Sequence, residues 1–374
     1  MARERIVVGM SGGVDSSVAA ALLVEQGHDV VGVTLRVWPW HEPAPDAPDA
    51  GVRRFGSCCS PETVDDARQV ARRLAIPYYL LNTEREFDRA VIDAFAREYE
   101  AGRTPVPCVA CNREIKFGTL LDRARAWEAA AVATGHYARL TRDEATGRHR
   151  LWRGRDPRKD QSDFLWPLTQ EQLAAARFPV GDLTKDEVRE TARRLGLVTA
   201  DKPESQEICF IPDDDYRGFL RRRIPEAFRP GPIVDGQGAV LGRHAGLANY
   251  TVGQRRGLGL MASRPLYVTV LDPARNAVVV GAAEELEVPG LVAGQVNLIA
   301  IARLDGPLDV TAKIRHSHVP VPATLAPHAP GQGAPGELVV RFAQPQRAVT
   351  PGQSVVFYRG DLVIGGGVID RPLR

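Results

Sequence analysis

At 374 residues the chain is too long for one average core and long enough for two or three. Its 48 Lys and Arg against 46 Asp and Glu leave a formal net charge of +2, which excludes a histone-like binder; a polyanion must be held by local patches. No apolar run approaches the roughly 18 residues of a membrane span, so a soluble protein with no membrane partner is expected. Residues 1–5 are charged and lead into the β-rich run 6–10 without a signal-peptide pattern, which points to the cytoplasm. Residues 16–25 read as a helix closed by Gly27, and 29–37 as a second strand, completing a βαβ unit. In a second round, Ser60 is an N-cap, Pro61 takes the first helical position, and Val64, Ala67, Val70, Ala71 and Leu74 repeat at helical spacing. Residues 77–82 are strand-like. Residues 112–131 form an amphipathic helix with Asn112 as its cap, and 131–134 a buried strand before Gly135 and His136. Repeated βα units predict a mostly parallel sheet with helices on both faces and a ligand crevice at the carboxyl ends of the strands.

From about Phe210 the signals change to Gly, Pro and hairpins. Residues 267–271 and 277–280 flank the turn 272–276, and 354–358 and 362–364 flank 359–361. These predict one or two small barrels with a seam at 282–291. Residues 41–50 and 320–336 read as surface loops, and there is no internal repeat.

The chemistry starts at the turn after the first strand, Ser11-Gly12-Gly13-Val14-Asp15-Ser16-Ser17. A helix N-terminus presents unpaired N–H groups and partial positive charge, two glycines let the backbone approach a phosphate, and the three serines can add hydroxyl donors. The loop lacks the lysine of the ATPase P-loop and the spacing of a dinucleotide fingerprint. It resembles the pyrophosphatase-type loop of enzymes that cleave ATP between the α and β phosphates to adenylate an acceptor. Gly135, at a later strand end, would face the same crevice, where His136 can contact ligand or serve only as a satisfied structural residue.

Five cysteines are an odd, sparse set for a disulfide scaffold and read as reactive thiols or metal ligands. Cys111 precedes the expected helix, with Arg113 and Lys116 one turn on, a setting that lowers a thiol's pKa. Cys209 lies where the α/β part hands over to the β part, on a boundary loop able to present a thiol and withdraw it. Three further arrangements stay open: buried inert thiols, a zinc site from Cys58, Cys59, Cys108 and Cys111, and an iron–sulfur cluster on Cys108, Cys111 and Cys209.

The loop, Gly135, His136, Cys111 and Cys209 lie in nine ordered motifs that run nearly end to end: residues 9–17, 98–105, 111–118, 133–140, 159–165, 178–185, 208–211, 250–259 and 349–361 with 365–369. The whole chain resembles the tRNA-specific 2-thiouridylases of the PP-loop superfamily, which place sulfur on C2 of the wobble uridine, position 34, of the tRNA anticodon loop. The resemblance implies a PP-loop α/β domain with a parallel sheet over 1–207, a small mostly-β central domain over 208–283 and a C-terminal β-barrel over 284–374. It implies ATP with Mg2+, with Asp15 a candidate ligand, at Gly9, Met10, Ser11, Gly12, Gly13, Val14, Asp15, Ser16, Leu35 and Gly135. Cys111 becomes the nucleophile and Cys209 the persulfide carrier, loaded by an upstream sulfur donor and ending in a Cys111–Cys209 disulfide. The tRNA contacts map to Val106, Pro107 and Cys108, to Lys159, Asp160 and Gln161, and to Arg315 and His316. Two departures stand out. Members often carry Asn-Pro-Asp where this chain has Val106-Pro107-Cys108, and an Arg-Tyr pair where it has Arg315-His316. Residues 139–160 hold eight basic and four acidic side chains, a local excess suited to phosphate contacts, and Arg221 to Arg223 with Arg255 and Arg256 would extend it. A monomer is expected. A PP-loop ligase or amidotransferase and a nucleotide-binding regulator remain as readings of the loop alone.

Overall fold

The computed structural model describes residues 3–38, 60–203, 208–211, 214–328, 333–334 and 336–374. Two compact units divide them, Met1–Ile92 with Cys108–Asp215 and Asp93–Pro107 with Tyr216–Arg374. The predicted loop at 41–50 and the Cys58-Cys59 pair lie outside the described residues.

The first unit is built on five parallel strands: β1 (Arg5–Gly9), β2 (Asp29–Arg36), β3 (Tyr78–Asn82), β4 (Ala131–Ala133) and, after an antiparallel hairpin of β5 (Ala138–Arg142) and β6 (His149–Arg153), β7 (Ala176–Arg177). Their order is β3-β2-β1-β4-β7. β1 is central, and its Ile6, Val7 and Val8 are all buried, as a parallel strand covered on both faces requires. The chain runs to β2 on one side of β1 and returns to β4 on the other, so the strand order reverses at β1. Ligands of open α/β sheets bind at such a point. Helix α1 (Val14–Glu25) follows β1 and buries Val18, Ala19, Ala20, Ala21 and Leu23 in the main core. Helix α2 (Pro61–Arg73) begins as its sequence predicts: the Ser60 hydroxyl accepts from the Thr63 N–H at 3.3 Å and Pro61 holds the first position.

The third predicted helix is corrected at its start. Helical backbone begins at Pro107, runs through Pro107–Ala110, Cys111–Thr119 and Leu120–Ala126, and ends before Glu128, whose φ is 58°. Asn112 is therefore no cap. It is 1% exposed, donates to the Phe164 carbonyl at 3.0 Å and accepts from Lys116 Nζ at 3.0 Å. The proline starts the helix because its missing N–H is one the first turn leaves unpaired anyway.

The second unit holds two β structures. The central one has four strands, β8 (Gly231–Val234), β9 (Val240–His244), β10 (Tyr267–Asp272) and β11 (Ala277–Gly281), in the order β10-β11-β8-β9. The C-terminal one has six: β12 (Glu287–Leu298), β13 (Leu308–Lys313), β14 (Val321–Pro327), β15 (Leu338–Arg347), β16 (Ser354–Arg359) and β17 (Leu362–Leu373). Their order β12-β15-β14-β13-β16-β17 closes on itself through β12–β17 pairing, which removes both sheet edges. Leu291, Leu325, Val340, Val355, Phe357 and Ile369 fill the interior and are fully buried. An α/β domain with a parallel sheet, a small mostly-β central part and a C-terminal barrel is the architecture the sequence predicts.

One predicted loop is a strand. Residues 321–327 of the stretch 320–336 form β14, which pairs with β13 and β15. Ala323 and Leu325 alternate into the barrel while Pro322 and Thr324 face away, so the period-2 burial outweighs the two prolines. The segment Asp93–Pro107 also belongs to the second unit. Arg103 bridges Glu98 at 2.8 Å and Asp370 at 3.0 Å and donates to the Ile369 carbonyl at 3.1 Å. The Thr104 N–H donates to the Pro351 carbonyl at 2.9 Å.

Candidate nucleotide and thiol site

The loop between β1 and α1 has the geometry of an anion cradle. Gly13 is the N-cap, with no side chain to cap the helix, so the first-turn N–H groups are left for a ligand. Gly12 has φ of 70°, and a Cβ there would lie 2.1 Å from the Thr63 carbonyl oxygen, so only glycine fits. Of the three serine hydroxyls, Ser17 is consumed internally: it is fully buried and donates to the Gly13 carbonyl at 2.8 Å. Ser16 donates to the same carbonyl at 3.1 Å and accepts from the Ser11 N–H at 3.2 Å, which curls the loop. The loop's start is pinned by a relay in which Tyr78 donates to Thr34 at 2.8 Å and Thr34 to the Met10 carbonyl at 2.6 Å.

Gly135 lies against this loop. A Cβ on it would come within 2.6 Å of the Asp15 carbonyl carbon and the Ser16 nitrogen. We therefore expect Gly135→Ala to push the cradle off its geometry and weaken ATP binding by about tenfold or more, measured by titration calorimetry, with secondary structure by circular dichroism unchanged. Unchanged affinity would show that the close approach is incidental.

The cradle opens into a cavity of about 230 Å³ lined by Gly9, Met10, Ser11, Asp15, Ser16, Leu35, Gly135, Cys111, Cys209, Lys116, His136 and Gln161, among others. Most of the predicted nucleotide residues and both predicted reactive thiols thus meet in one place. Cys108, Cys111 and Cys209 carry no disulfide, and Cys108 is exposed. His136 is 8% exposed, and its Nδ1 lies 2.7 Å from Thr134 Oγ1. Burial first, and the nearby Lys116 ammonium second, hold its pKa well below the usual histidine value, so the ring is neutral.

Two lysines support the cradle, and neither stood out in the sequence. Lys185 is 6% exposed, and its Nζ lies 2.8 and 2.9 Å from the two Asp15 carboxylate oxygens; the Tyr137 hydroxyl adds a 2.7 Å bond to Oδ1. Lys202 Nζ donates to the Gly12 carbonyl at 3.0 Å and pairs with Asp66 at 2.5 Å. The detectable signal for Lys185 is the Thr184–Glu187 capping box that starts its helix, Lys185–Arg194, directly after a loop.

The predicted surface contacts separate. Asp160 is 8% exposed and its Oδ1 accepts from the Gly154 and Ser162 N–H groups at 3.2 and 3.1 Å, so its side chain holds a turn. Gln161 lines the cavity, and its Oε1 accepts from the Tyr137 N–H at 3.1 Å. The arginines of 139–158 are largely matched by carboxylates: Arg150 by Asp143, Arg153 by Asp160, Arg155 by Glu187, Arg158 by Asp156 and Asp186. The excess of positive charge there is smaller than composition suggests. Arg315 and His316 are exposed, and Arg315 lines a second cavity with Arg347, Thr104 and Gln353. Among the described residues no group of three or more His, Cys, Asp or Glu side chains is placed to hold a metal ion, and no helix is long and apolar enough to cross a membrane.

The chain matches the tRNA methyl transferase HUP domain over residues 4–213, the tRNA methyl transferase PRC-barrel domain over 217–282 and the aminomethyltransferase beta-barrel domain over 288–369. It is 54% identical over 372 residues to a tRNA-specific 2-thiouridylase of Heliobacterium modesticaldum, covering 99% of this chain and 94% of that one. It is 53% identical over 364 residues to the one from Moorella thermoacetica, covering 97% of this chain and 99% of that one, and 52% identical over 372 residues to that of Geobacter metallireducens, covering 100% and 98%. Identity at this level along the whole length, with the cradle and both thiols in one cavity, places the chain in the family of tRNA-specific 2-thiouridylases.

Proposed function

We propose that the chain converts uridine at wobble position 34 of tRNA to 2-thiouridine, consuming ATP and releasing AMP and pyrophosphate. The observation that carries this is the meeting of a PP-loop cradle with two thiols, Cys111 and Cys209, in one cavity. A uridine C2 carbonyl is a poor electrophile. Attack of its oxygen on the α-phosphorus of ATP expels pyrophosphate and turns that oxygen into a leaving group. The first-turn N–H groups of α1 receive the phosphates. Cys209, loaded as a persulfide by an upstream donor, supplies the sulfur. The Cys111 thiolate attacks the inner sulfur of that persulfide, forming a Cys111–Cys209 disulfide and releasing hydrosulfide. Hydrosulfide adds to C2 and AMP departs. A dithiol reductant returns both cysteines to thiols.

Mg2+ would arrive with the nucleotide and shield phosphate charge, as it commonly does with one carboxylate and substrate oxygens. Asp15 is the carboxylate that lines the cavity among the described residues, and because Lys185 and Tyr137 already bond its oxygens it fits such an ion through water. A three-thiolate iron–sulfur cluster fits less well: Cys111 and Cys209 line the cavity, Cys108 is exposed, and no three-ligand group is placed among the described residues. Val106, Pro107, Cys108, Lys159, Gln161, Arg315 and His316 are the side chains we assign to tRNA, with Asp160 holding the turn that carries Lys159 and Gln161. The protein works as a cytoplasmic monomer in three parts, 1–207, 208–283 and 284–374.

The test is to incubate the protein with unmodified tRNA, ATP, a persulfide-loaded donor and reductant, then digest the tRNA and separate nucleosides by liquid chromatography and mass spectrometry. ATP-dependent 2-thiouridine at position 34 is expected. Its absence, with the protein folded and ATP consumed, would overturn the assignment.

A further inference from the structure

The stretch Cys111–Thr119 is wound more widely than an α-helix: it is a π-helix, and the Leu120 N–H that follows reaches back five residues to the Ile115 carbonyl. Such stretches are rare and tend to sit at functional sites. The winding matters for what faces the cavity. In an α-helix, residues five apart point about 140° away from each other. The wider winding of a helix bonded five residues apart narrows that divergence and brings them toward the same side. Cys111, Lys116 and Leu120 all line the one cavity.

Three contacts hold this register. Wide winding leaves carbonyls short of partners, and Gln172, from the separate helix Gln170–Ala174, donates its side-chain amide to the Arg113 and Phe117 carbonyls, both at 2.9 Å. Thr119 Oγ1 donates to the Glu114 carbonyl, five residues back, at 3.2 Å. At Gly118 an added Cβ would stand 3.0 Å from the Arg113 oxygen, so glycine leaves room for the displaced carbonyl. Asn112 then aims Lys116, accepting from its Nζ at 3.0 Å while donating to Phe164.

We propose that Gln172 and Gly118 are positioning residues that keep the nucleophile's helix in this wide register, and that the register turns Lys116 onto Cys111 as the counter-ion of its thiolate. Among the described residues, the other charged or titratable groups of the cavity do not fill that role. Asp15 is held by Lys185 and Tyr137, His136 is neutral and Cys209 is itself a thiol; Arg113 and Glu114, on the same helix but outside the cavity lining, pair with each other at 2.6 Å. The inference rests on Cys111 being the nucleophile, but its test does not use turnover alone.

Alkylation of Cys111 by iodoacetamide, followed across pH on the full chain by peptide mass spectrometry, reads the thiol's titration directly. Lys116→Met should move the midpoint up by about one pH unit, and Lys116→Arg should restore it. Gln172→Glu keeps the acceptor that caps Thr169 but loses both donations to the helix; it and Gly118→Ala should raise the midpoint in the same direction. Gln172→Glu should also lower kcat for thiolation with KM for ATP within about twofold. An unmoved midpoint in Lys116→Met overturns the counter-ion, and an unmoved midpoint in both Gln172→Glu and Gly118→Ala, with the fold intact by circular dichroism, overturns the register's role. Retained thiolation in Cys111→Ser would instead sink the nucleophile assignment and leave the titration result standing.

Discussion

Cys111→Ser and Cys209→Ser should each reduce 2-thiouridine formation to background, a loss of at least about 10³-fold, while ATP is still split at the α-phosphorus. The size follows from a division of labour within one cavity. On the proposed mechanism the cradle of Ser11 to Ser16 holds the ATP that adenylates the uridine, and neither sulfur takes part in that step. A hydroxyl replacing either thiol removes sulfur chemistry outright, because serine neither carries a persulfide nor forms a disulfide. The two variants part at the intermediate. Cys111→Ser should accumulate one extra sulfur on Cys209 after incubation with the donor, since nothing releases it, whereas Cys209→Ser should take up none there. Intact-protein and peptide mass spectrometry separate these states. Thiolation surviving in either variant would remove that cysteine from the mechanism.

The site was legible where local chemistry decides the outcome and illegible where distant groups do. The cradle could be read from the sequence because glycine spacing, strand placement and helix start are all local, and Gly12 at φ of 70° against the Thr63 carbonyl shows why those glycines are needed. The barrel shows in the sequence as hairpins, but the prolines of 320–336 make β14 read as a loop, since the burial of Ala323 and Leu325 shows only once β13 and β15 flank them. The wide winding at Cys111 depends on Gln172, which stands 59 residues from Arg113, and no periodicity in 107–126 contains it. The arginines of 139–158 looked like unopposed charge because three of their partners, Asp182, Asp186 and Glu187, lie beyond that stretch. Likewise nothing near Asp15 in the sequence shows that its strongest partner is Lys185, 170 residues away.

Lys185 is almost fully buried, with side-chain exposures of 7% for the lysine and 30% for Asp15, and its ammonium spans both carboxylate oxygens. An Asp15 carboxylate left unpaired would point negative charge into a cradle meant for phosphates. Removing one member of a buried pair commonly costs about 3–5 kcal/mol, and here part of that cost should fall on the ligand, so Lys185→Met is expected to weaken ATP binding by about 10²-fold or more and to lower the unfolding midpoint. Two explanations of such a loss are separable. If Lys185 acts by neutralising Asp15, adding Asp15→Asn to Lys185→Met should recover much of the ATP affinity and stability, because no unpaired charge remains. If the ammonium itself contacts phosphate, the double variant should bind as poorly as the single one. Calorimetric ATP titration of the four proteins of this cycle decides between them, and unchanged affinity in Lys185→Met would remove the lysine from the nucleotide site. Because Tyr137 also holds Asp15, Tyr137→Phe should produce a weaker version of the same defect, on the scale of one neutral hydrogen bond to a charged group, about 1.5–3 kcal/mol at most.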